Sequence, residues 1–280
     1  MKLAQKIAVG YIRARLNLLA VVSKKKAAEK AFEIFCTPFR KSKKKAPPVF
    51  EKAEKLSFTF NNYTIRGYRW SHPSSKKFLI LHGFESSAYN FDRYVNPVIK
   101  KGYEVLAFDA PAHGKSSGKQ INLPLYVDTI KEIYRLYGPV DAFMAHSFGG
   151  IAITLFLESL PHNKNVKLVL IAPATETITA IDSFFRFLQL NNEVRKEFDA
   201  LIEKRGGVPV SHYSISRAMK KIKASVLWFH DEDDDITPLK DALQVKNDHH
   251  PNIEFVITKG FGHRRIYREN SVFKRITEFV

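Results

Sequence analysis

Six short apolar runs that alternate with helical stretches constrain the fold of this chain most strongly. The runs are KFLILHGF, YEVLAFDAP, VDAFMAHS, VKLVLIAPA, SVLWFHDED and IEFVITKGF. They are nearly continuous in apolar residues, which is typical of parallel strands covered by helices on both faces. Helical patterns lie between them, for example at 122–137, 149–160 and 238–247. The chain is therefore predicted to be an α/β protein with a mostly parallel central sheet flanked by helices.

Three further segments complete the predicted architecture. In KLSFTF-NN-YTIRGYRW, alternating residues flank an Asn-Asn turn, which predicts an antiparallel N-terminal hairpin. Residues 176–222 contain no convincing strand and are predicted to form a small helical cap inserted between two strands. Residues 1–46 are predicted to form a basic helical N-terminal extension, followed by a main domain over residues 50–280, with RKSKKKAPP as an exposed linker.

The extension carries most of the positive charge of the chain. Residues 1–46 hold thirteen Lys and Arg against two Glu, so 13 − 2 = +11 of the net charge of +17 lies there. Leu3, Ile7, Tyr11, Ala14, Leu18 and Val22 recur at steps of three and four residues, which is one face of a helix. A basic amphipathic segment indicates peripheral contact with a membrane or an acidic surface. The alternative is a solvated face on a helix packed against its own domain.

Other partners and compartments are constrained by what the sequence lacks. The basic residues come without a recognisable nucleic-acid-binding module, so no nucleic acid partner is expected. Arg13 and Arg15 interrupt the first apolar stretch, which predicts neither a membrane span nor a signal peptide. The single cysteine, Cys36, fits a reducing compartment, so the cytoplasm is the expected location. The oligomeric state is left open.

Polar and glycine-containing loops follow five of the predicted strands. They read HGFESS, APAHGKSSG, HSFGG, DEDDDITP and GFGH. The carboxyl ends of parallel strands meet at one edge of a sheet, so we expect these loops to lie together. A serine nucleophile needs a base, a group that orients the base, and donors for the developing oxyanion. Ser147 at a strand-to-helix corner is the candidate nucleophile, His263 is the candidate base, and the acidic run 231–235 supplies the group that orients the base.

With these loops in this order, residues 55–280 resemble the α/β-hydrolase superfamily, in particular its small esterase-like members with a serine aminopeptidase-type core. The resemblance implies that Ser147 is the nucleophile and His263 the general base. Asp234 is the implied acid, because it stands four residues before Pro238, which opens the next helix with Thr237 as its N-cap.

The same resemblance assigns the oxyanion donors. It implies oxyanion donors in the backbone amides of Phe84 and Phe148. Asp233 and Asp235 are expected to be solvated neighbours of the acid, and His146 is expected only to fill space.

Three positions depart from the family pattern. Ala145 replaces the first glycine of G-x-S-x-G, and Ala112 replaces a glycine of the D-x-x-G-H-G loop. We expect the methyl group of Ala145 to be tolerated. Asp231 stands where the acid loop usually has glycine, and the sequence indicates no effect of this change on the chemistry.

The expected function is a serine hydrolase that cleaves a carboxylic ester or related acyl bond of a small molecule through an acyl-enzyme. A thioesterase, amidase or peptidase would use the same groups, and a non-catalytic lipid- or partner-binding protein on this fold is the alternative of a different class. Phe184, Phe185 and Leu188 in the cap are candidates for walling an acyl pocket, or they simply pack on the sheet edge. No dinucleotide fingerprint, Walker motif or metal-ligand spacing occurs, so no cofactor and no metal are expected.

Overall fold

Eight strands form one sheet in the computed structural model, which describes residues 3–39 and 44–280, with side chains from residue 7 onward. The strands are β1 (Glu54–Phe60), β2 (Tyr63–Trp70), β3 (Lys76–Leu81), β4 (Tyr103–Phe108), β5 (Ala142–His146), β6 (Lys167–Ile171), β7 (Ser225–Asp231) and β8 (Ile253–Thr258). Their order across the sheet is β1-β2-β4-β3-β5-β6-β7-β8. β2 pairs antiparallel with β1 and β4, and every other neighbouring pair is parallel. The predicted mostly parallel sheet with an antiparallel hairpin is confirmed.

The hairpin turns at the two asparagines that the sequence indicates. Asn61 and Asn62 both have positive φ, at 45° and 63°, and Phe60 pairs with Tyr63 on either side of them. Two successive residues in this region define the type I′ turn, whose twist matches that of the flanking strands. Asparagine tolerates the left-handed conformation better than most residues, which is why this dipeptide forms the turn.

Helices connect and cover the strands. Within the described residues they are α1 (Leu3–Val22), α2 (Lys24–Phe35), α3 (Pro48–Glu51), α4 (Asp92–Ile99), α5 (Leu123–Tyr137), α6 (Phe148–Glu158), α7 (Thr177–Leu188), α8 (Asn192–Gly206), α9 (Ile215–Met219), α10 (Leu239–Asn247), α11 (Gly262–Arg265) and α12 (Asn270–Phe279). The three helices predicted at 122–137, 149–160 and 238–247 correspond to α5, α6 and α10, with ends that differ by one or two residues.

The described residues divide into two compact units. The sheet unit comprises all eight strands with α3 to α6 and α9 to α12, over residues 44–175 and 215–280 together with 38 and 39. Every residue of β4 and β5 is buried, because helices cover both faces of the central strands. This rigid sheet determines where the loops at its carboxyl edge are placed.

The helical unit comprises residues 3–37 and 176–214, and so contains α1, α2, α7 and α8. α2 packs along α8, and α1 contacts α2 and α7. The segment predicted as a separate extension thus packs with most of the segment predicted as a cap, whereas α9, inside the predicted cap range, belongs to the sheet unit. Residues 40–43 of the predicted linker lie outside the described residues.

Aromatic side chains fill the interior of the helical unit. Phe198 of α8 lies 5.7 Å from Phe32 and 5.9 Å from Phe35 of α2, measured between ring centroids. Phe184 and Phe185 of α7 join the same cluster, with Phe185 5.1 Å from Phe198. Such tilted and edge-to-face pairs add to the stability that burial of the rings provides.

Candidate active site

Ser147 lies at a sharp corner between β5 and α6. Its backbone has φ 54° and ψ −122°, a sparsely populated conformation for a residue with a side chain. Backbone hydrogen bonds fix this corner: the Ser147 amide donates to Ile171 O, and its carbonyl accepts from Gly150 N. The strained turn follows a fully buried strand and precedes the first residue of a helix, as the sequence predicts for a nucleophile at an elbow.

Two glycines let the backbone pack closely around this corner. A Cβ atom added to Gly83 would lie 2.7 Å from Ser147 Cβ, and one added to Gly149 would lie 2.7 Å from His82 O. Neither glycine has positive φ. The loop after β3 can therefore approach the start of α6 closely because glycine has no side chain, and an unusual backbone angle is not needed.

The structure brings the predicted nucleophile, base and acid together. His263 Nε2 lies 3.0 Å from Ser147 Oγ, and His263 Nδ1 lies 2.8 Å from Asp234 Oδ2. All three residues are buried, with 6–8% of their surface exposed. They come from three loops at the carboxyl edge of the sheet, after β5, β7 and β8. The arrangement allows a proton to pass from the serine to a histidine that a carboxylate orients.

Asp234 is held in place by its own loop. Its Oδ1 accepts hydrogen bonds from the amides of Ile236 (2.9 Å) and Thr237 (2.8 Å), which leaves Oδ2 directed at His263. Burial alone would raise the pKa of this carboxyl, but the hydrogen bond and charge of His263, together with those amides, lower it below the usual value. Asp234 is therefore ionised at neutral pH.

Thr237 has a different role from the one that the sequence predicts. The residue that caps α10 is Pro238, so the prediction of Thr237 as the N-cap is wrong. Its hydroxyl lies 2.8 Å from Asp234 Oδ2, 3.1 Å from His263 Nδ1 and 3.2 Å from Ala172 O. A buried hydroxyl at these distances joins the acid and the base in one hydrogen-bond network.

Asp231 is a buried carboxylate whose contacts the sequence did not reveal. Its Oδ1 accepts from the amides of Gly262 (2.9 Å) and Asp233 (3.1 Å). Its Oδ2 accepts from Thr258 Oγ1 (2.7 Å) and the amide of Phe261 (3.2 Å). Burial opposes its ionisation, yet the hydroxyl and these amides lower its pKa. The carboxylate thus ties the loop that carries His263 to the end of β7.

His146 does more than fill space. Its ring lies 4.6 Å from that of His263 between centroids, and its Nε2 is 3.0 Å from His263 O. Burial, followed by the nearby charge of His263, lowers the pKa of His146 to about 3. A neutral imidazole whose Nε2 carries its proton donates to that carbonyl, so His146 supports the backbone of the predicted base.

The segments predicted to supply the oxyanion donors meet beside Ser147. Phe148 is the first residue of α6, where backbone amides have no partner within the helix. The Phe84 and Phe148 rings contact each other edge to face, with centroids 5.9 Å apart. The loop of Phe84 is braced by a hydrogen bond from the Glu85 amide to His113 Nε2. Donation by the Phe84 and Phe148 amides stays a prediction.

The cap candidates belong to the helical unit. Phe185 and Leu188 are buried, and Phe184 packs against Phe35 with ring centroids 5.1 Å apart. Their predicted part in an acyl pocket stays a prediction. Among residues 3–39 and 44–280, no group of three or more His, Cys, Asp or Glu could hold a metal ion. In the same part of the chain, no helix is long and apolar enough to cross a membrane.

Parts of the chain are similar in sequence to known serine hydrolases. The model of the family described as serine aminopeptidase, S33, matches residues 72–204. YqkD, an uncharacterized protein of Bacillus subtilis (strain 168), is 24% identical over 255 residues, which are 82% of this chain and 81% of that protein. A serine hydrolase-like protein of Homo sapiens is 28% identical over 114 residues, 39% of this chain and 56% of that protein.

Solved structures show the same architecture. The structure of the Pyrococcus furiosus esterase Pf2001 in space group P21 superposes with a TM-score of 0.65 at 21% sequence identity. The match covers 87% of this chain and 97% of that chain. At this identity the likeness shows the fold alone.

Proposed function

Because the chain belongs to the α/β-hydrolase superfamily, among its serine hydrolase and esterase-type members, we propose that it cleaves carboxylic esters with Ser147, His263 and Asp234. One observation carries the proposal. Ser147 Oγ, His263 and Asp234 Oδ2 form a continuous hydrogen-bonded chain with distances of 3.0 and 2.8 Å at a strained, buried corner. A serine without such a partner is a weak nucleophile.

In the first half of the proposed reaction, His263 Nε2 takes the proton of Ser147 Oγ as the oxygen attacks the ester carbonyl carbon. The carbonyl π electrons move to oxygen, and the amides of Phe84 and Phe148 donate hydrogen bonds to this oxyanion. Collapse of the tetrahedral intermediate breaks the bond to the alkoxy group, which leaves as the alcohol after taking the proton from His263. Ser147 then carries the acyl group.

In the second half, water attacks the acyl carbon while His263 Nε2 takes its proton. The second tetrahedral intermediate collapses, the proton returns to Ser147 Oγ, and the carboxylic acid leaves. Asp234 remains ionised throughout, because its lowered pKa keeps it charged at neutral pH. It holds Nδ1 protonated, so that Nε2 faces the serine as an acceptor, and it stabilises the imidazolium that forms in each half.

A fluorophosphonate probe tests the proposal, because an activated serine displaces fluoride from phosphorus and becomes labelled. We expect the wild type to be labelled and Ser147→Ala to remain unlabelled. Ser87→Ala is the matched control, since the Ser87 hydroxyl is buried with no hydrogen-bond partner among the described residues. Its labelling should equal that of the wild type. A folded wild type that stays unlabelled would support the non-catalytic alternative and refute the proposal.

The bond that is cleaved needs a second experiment. A panel of carboxylic esters, thioesters and amides with increasing acyl length separates an esterase from a thioesterase, an amidase or a peptidase. We expect the esters to give the highest kcat/KM, with all hydrolysis lost in Ser147→Ala. A panel in which amides or thioesters are preferred by more than about tenfold, a difference of about 1.4 kcal/mol in barrier, would reject the ester assignment and leave the nucleophile in place.

A further inference from the structure

Helix α1 has apolar side chains on its outer surface. Ile7, Tyr11, Leu18, Val21 and Val22 are 64%, 66%, 70%, 80% and 79% exposed. At 100° per residue these five positions fall on one side of the helix, and we call them the outer face of α1. Single exposed apolar residues are ordinary on protein surfaces, but a contiguous group on one helix indicates an interaction surface.

The opposite side of α1 is already packed. Leu16 and Ala20 are 1% and 3% exposed, and the helix contacts α2 and α7 of the helical unit. The Arg13 guanidinium donates to Phe187 O, which further fixes α1 within the unit. The helix can therefore offer only its outer face to another surface. This geometry fits a helix that lies in an interface, and it does not fit one that crosses a bilayer.

The charge of this region favours an anionic partner. The first 28 residues contain seven Lys and Arg and no Asp or Glu. Arg15 is exposed at the edge of the outer face, and Lys25 and Lys26 are exposed where α2 begins, just after Val22. Two copies of this chain meeting through the outer face would bring like charges together. A surface of acidic lipid headgroups would instead be attracted by these charges while its acyl region receives the apolar side chains.

We propose that the outer face of α1 docks the protein on an anionic membrane surface. Ile7, Tyr11, Leu18, Val21 and Val22 enter the boundary between headgroups and acyl chains, and Arg15, Lys25 and Lys26 contact acidic headgroups. The binding is peripheral and sensitive to salt, because about fivefold of its affinity comes from each basic residue near the surface. This inference does not depend on the proposed chemistry of Ser147.

Sedimentation with vesicles is the direct test, using the full chain. We expect the wild type to pellet with vesicles of phosphatidylcholine mixed with phosphatidylglycerol, and far less with phosphatidylcholine alone or at high salt. Leu18→Glu/Val22→Glu should bind the anionic vesicles at least about tenfold more weakly, since burial of two large apolar side chains is lost. Leu136→Glu, a leucine 40% exposed on α5, is the matched control and should bind like the wild type.

A second measurement avoids charged substitutions. Burial raises the pKa of the Cys36 thiol to about 12, so it should not react with a thiol-directed dye at neutral pH. A dye sensitive to polarity can then be attached to Val21→Cys alone, with Leu136→Cys as the control. We expect the emission of the dye on Val21→Cys to shift to the blue with anionic vesicles, and that on Leu136→Cys to stay unchanged.

Several outcomes would overturn the proposal. They are no pelleting of the wild type with anionic vesicles, equal pelleting of wild type and Leu18→Glu/Val22→Glu, and equal dye shifts at the two labelled positions. A dimer in size-exclusion chromatography that becomes a monomer in Leu18→Glu/Val22→Glu would assign the face to self-association instead. Circular dichroism and thermal melting establish that each variant is folded before binding is compared.

Discussion

Replacing Asp231 with asparagine tests whether a residue outside the proposed triad controls the position of its base. The carboxylate accepts four hydrogen bonds, three from backbone amides and one from Thr258, and three of these donors lie in the segment that leads to His263. Gly260 and Gly262 in this segment have φ of 86° and 60°, which lets the chain fold back over the carboxylate. Asparagine has the same shape but only one acceptor oxygen.

The loss of stability in Asp231→Asn follows from the number of hydrogen-bond donors that lose their acceptor. Each oxygen of the Asp231 carboxylate serves two donors, so whichever way the substituted amide is oriented, two of the four face an NH₂ group. A buried donor without a partner costs about 1–3 kcal/mol, so the free energy of unfolding should fall by roughly 2–4 kcal/mol after partial relaxation. A displacement of His263 by about 1 Å would lower kcat about 100-fold. We expect kcat to fall about 10- to 100-fold with KM nearly unchanged.

Hydrolysis of a chromogenic ester gives kcat and KM, and the rate of fluorophosphonate labelling gives the reactivity of Ser147 without turnover. Both are measured on protein that circular dichroism shows to be folded. Asp235→Asn is the matched control, because it makes the same change of charge at an exposed position four residues along the chain. Asp231→Asn with wild-type kcat and labelling rate would refute the positioning role, as would an equal loss in Asp235→Asn.

Three further predictions test the surroundings of the site. Thr237→Val removes the hydroxyl 2.8 Å from Asp234 Oδ2 and should lower kcat/KM about tenfold, a loss of about 1.4 kcal/mol; Thr237→Ser should restore most of it in the same ester assay. Ala145→Gly lies in a buried strand and should lower the free energy of unfolding by about 1–2 kcal/mol in urea denaturation. Ala112→Gly should change it by less than about 0.5 kcal/mol, because glycine adopts the φ of 65° without strain and this gain offsets the lost methyl group. The pKa of His146 is lowered to about 3, so below about pH 6.5 the unfolded chain binds a proton that the folded chain does not. As the pH is lowered below about 6.5, the free energy of unfolding should therefore decrease by up to about 1.4 kcal/mol per pH unit from this group. In urea denaturation, His146→Gln should show a weaker pH dependence between about pH 7 and pH 5.

The parallel sheet and the meeting of Ser147, Asp234 and His263 are predictable from the sequence for one physical reason. Buried parallel strands have a distinctive pattern of continuous apolar residues, and their carboxyl ends lie along one edge. Loops that are far apart in the chain therefore converge: His263 is 116 residues from Ser147 and still within 3.0 Å of it. The choice of Asp234 among the neighbouring acids and the assignment of the oxyanion donors required a resemblance to known proteins.

The roles of Asp231 and Thr237 could not be read from the sequence, because they depend on register and on loop conformation. Asp231 is the last residue of β7 and pairs with Thr258, the last residue of β8. That pairing brings its carboxylate beneath the loop of His263, whereas Asp233 and Asp235, next to it in the sequence, are exposed. Asp231, Asp233 and Asp235 cannot be distinguished by residue type, and it is the strand pairing that places the carboxylate of Asp231 in the interior.

For helix α1 the sequence shows which residues share a face, but it does not show whether that face is buried or exposed. The periodicity correctly groups Ile7, Tyr11, Leu18 and Val22 on one face, and such a face is ordinarily the one that packs. In the structure the helix packs instead through Leu16 and Ala20, and the more strongly apolar face is exposed. A helix at the surface of its unit that is apolar on two sides can bury only one of the two sides within that unit. Since burying the larger apolar side chains would stabilise the chain more, their exposure beside basic residues is best explained by a partner that covers them, and an anionic lipid surface meets both requirements.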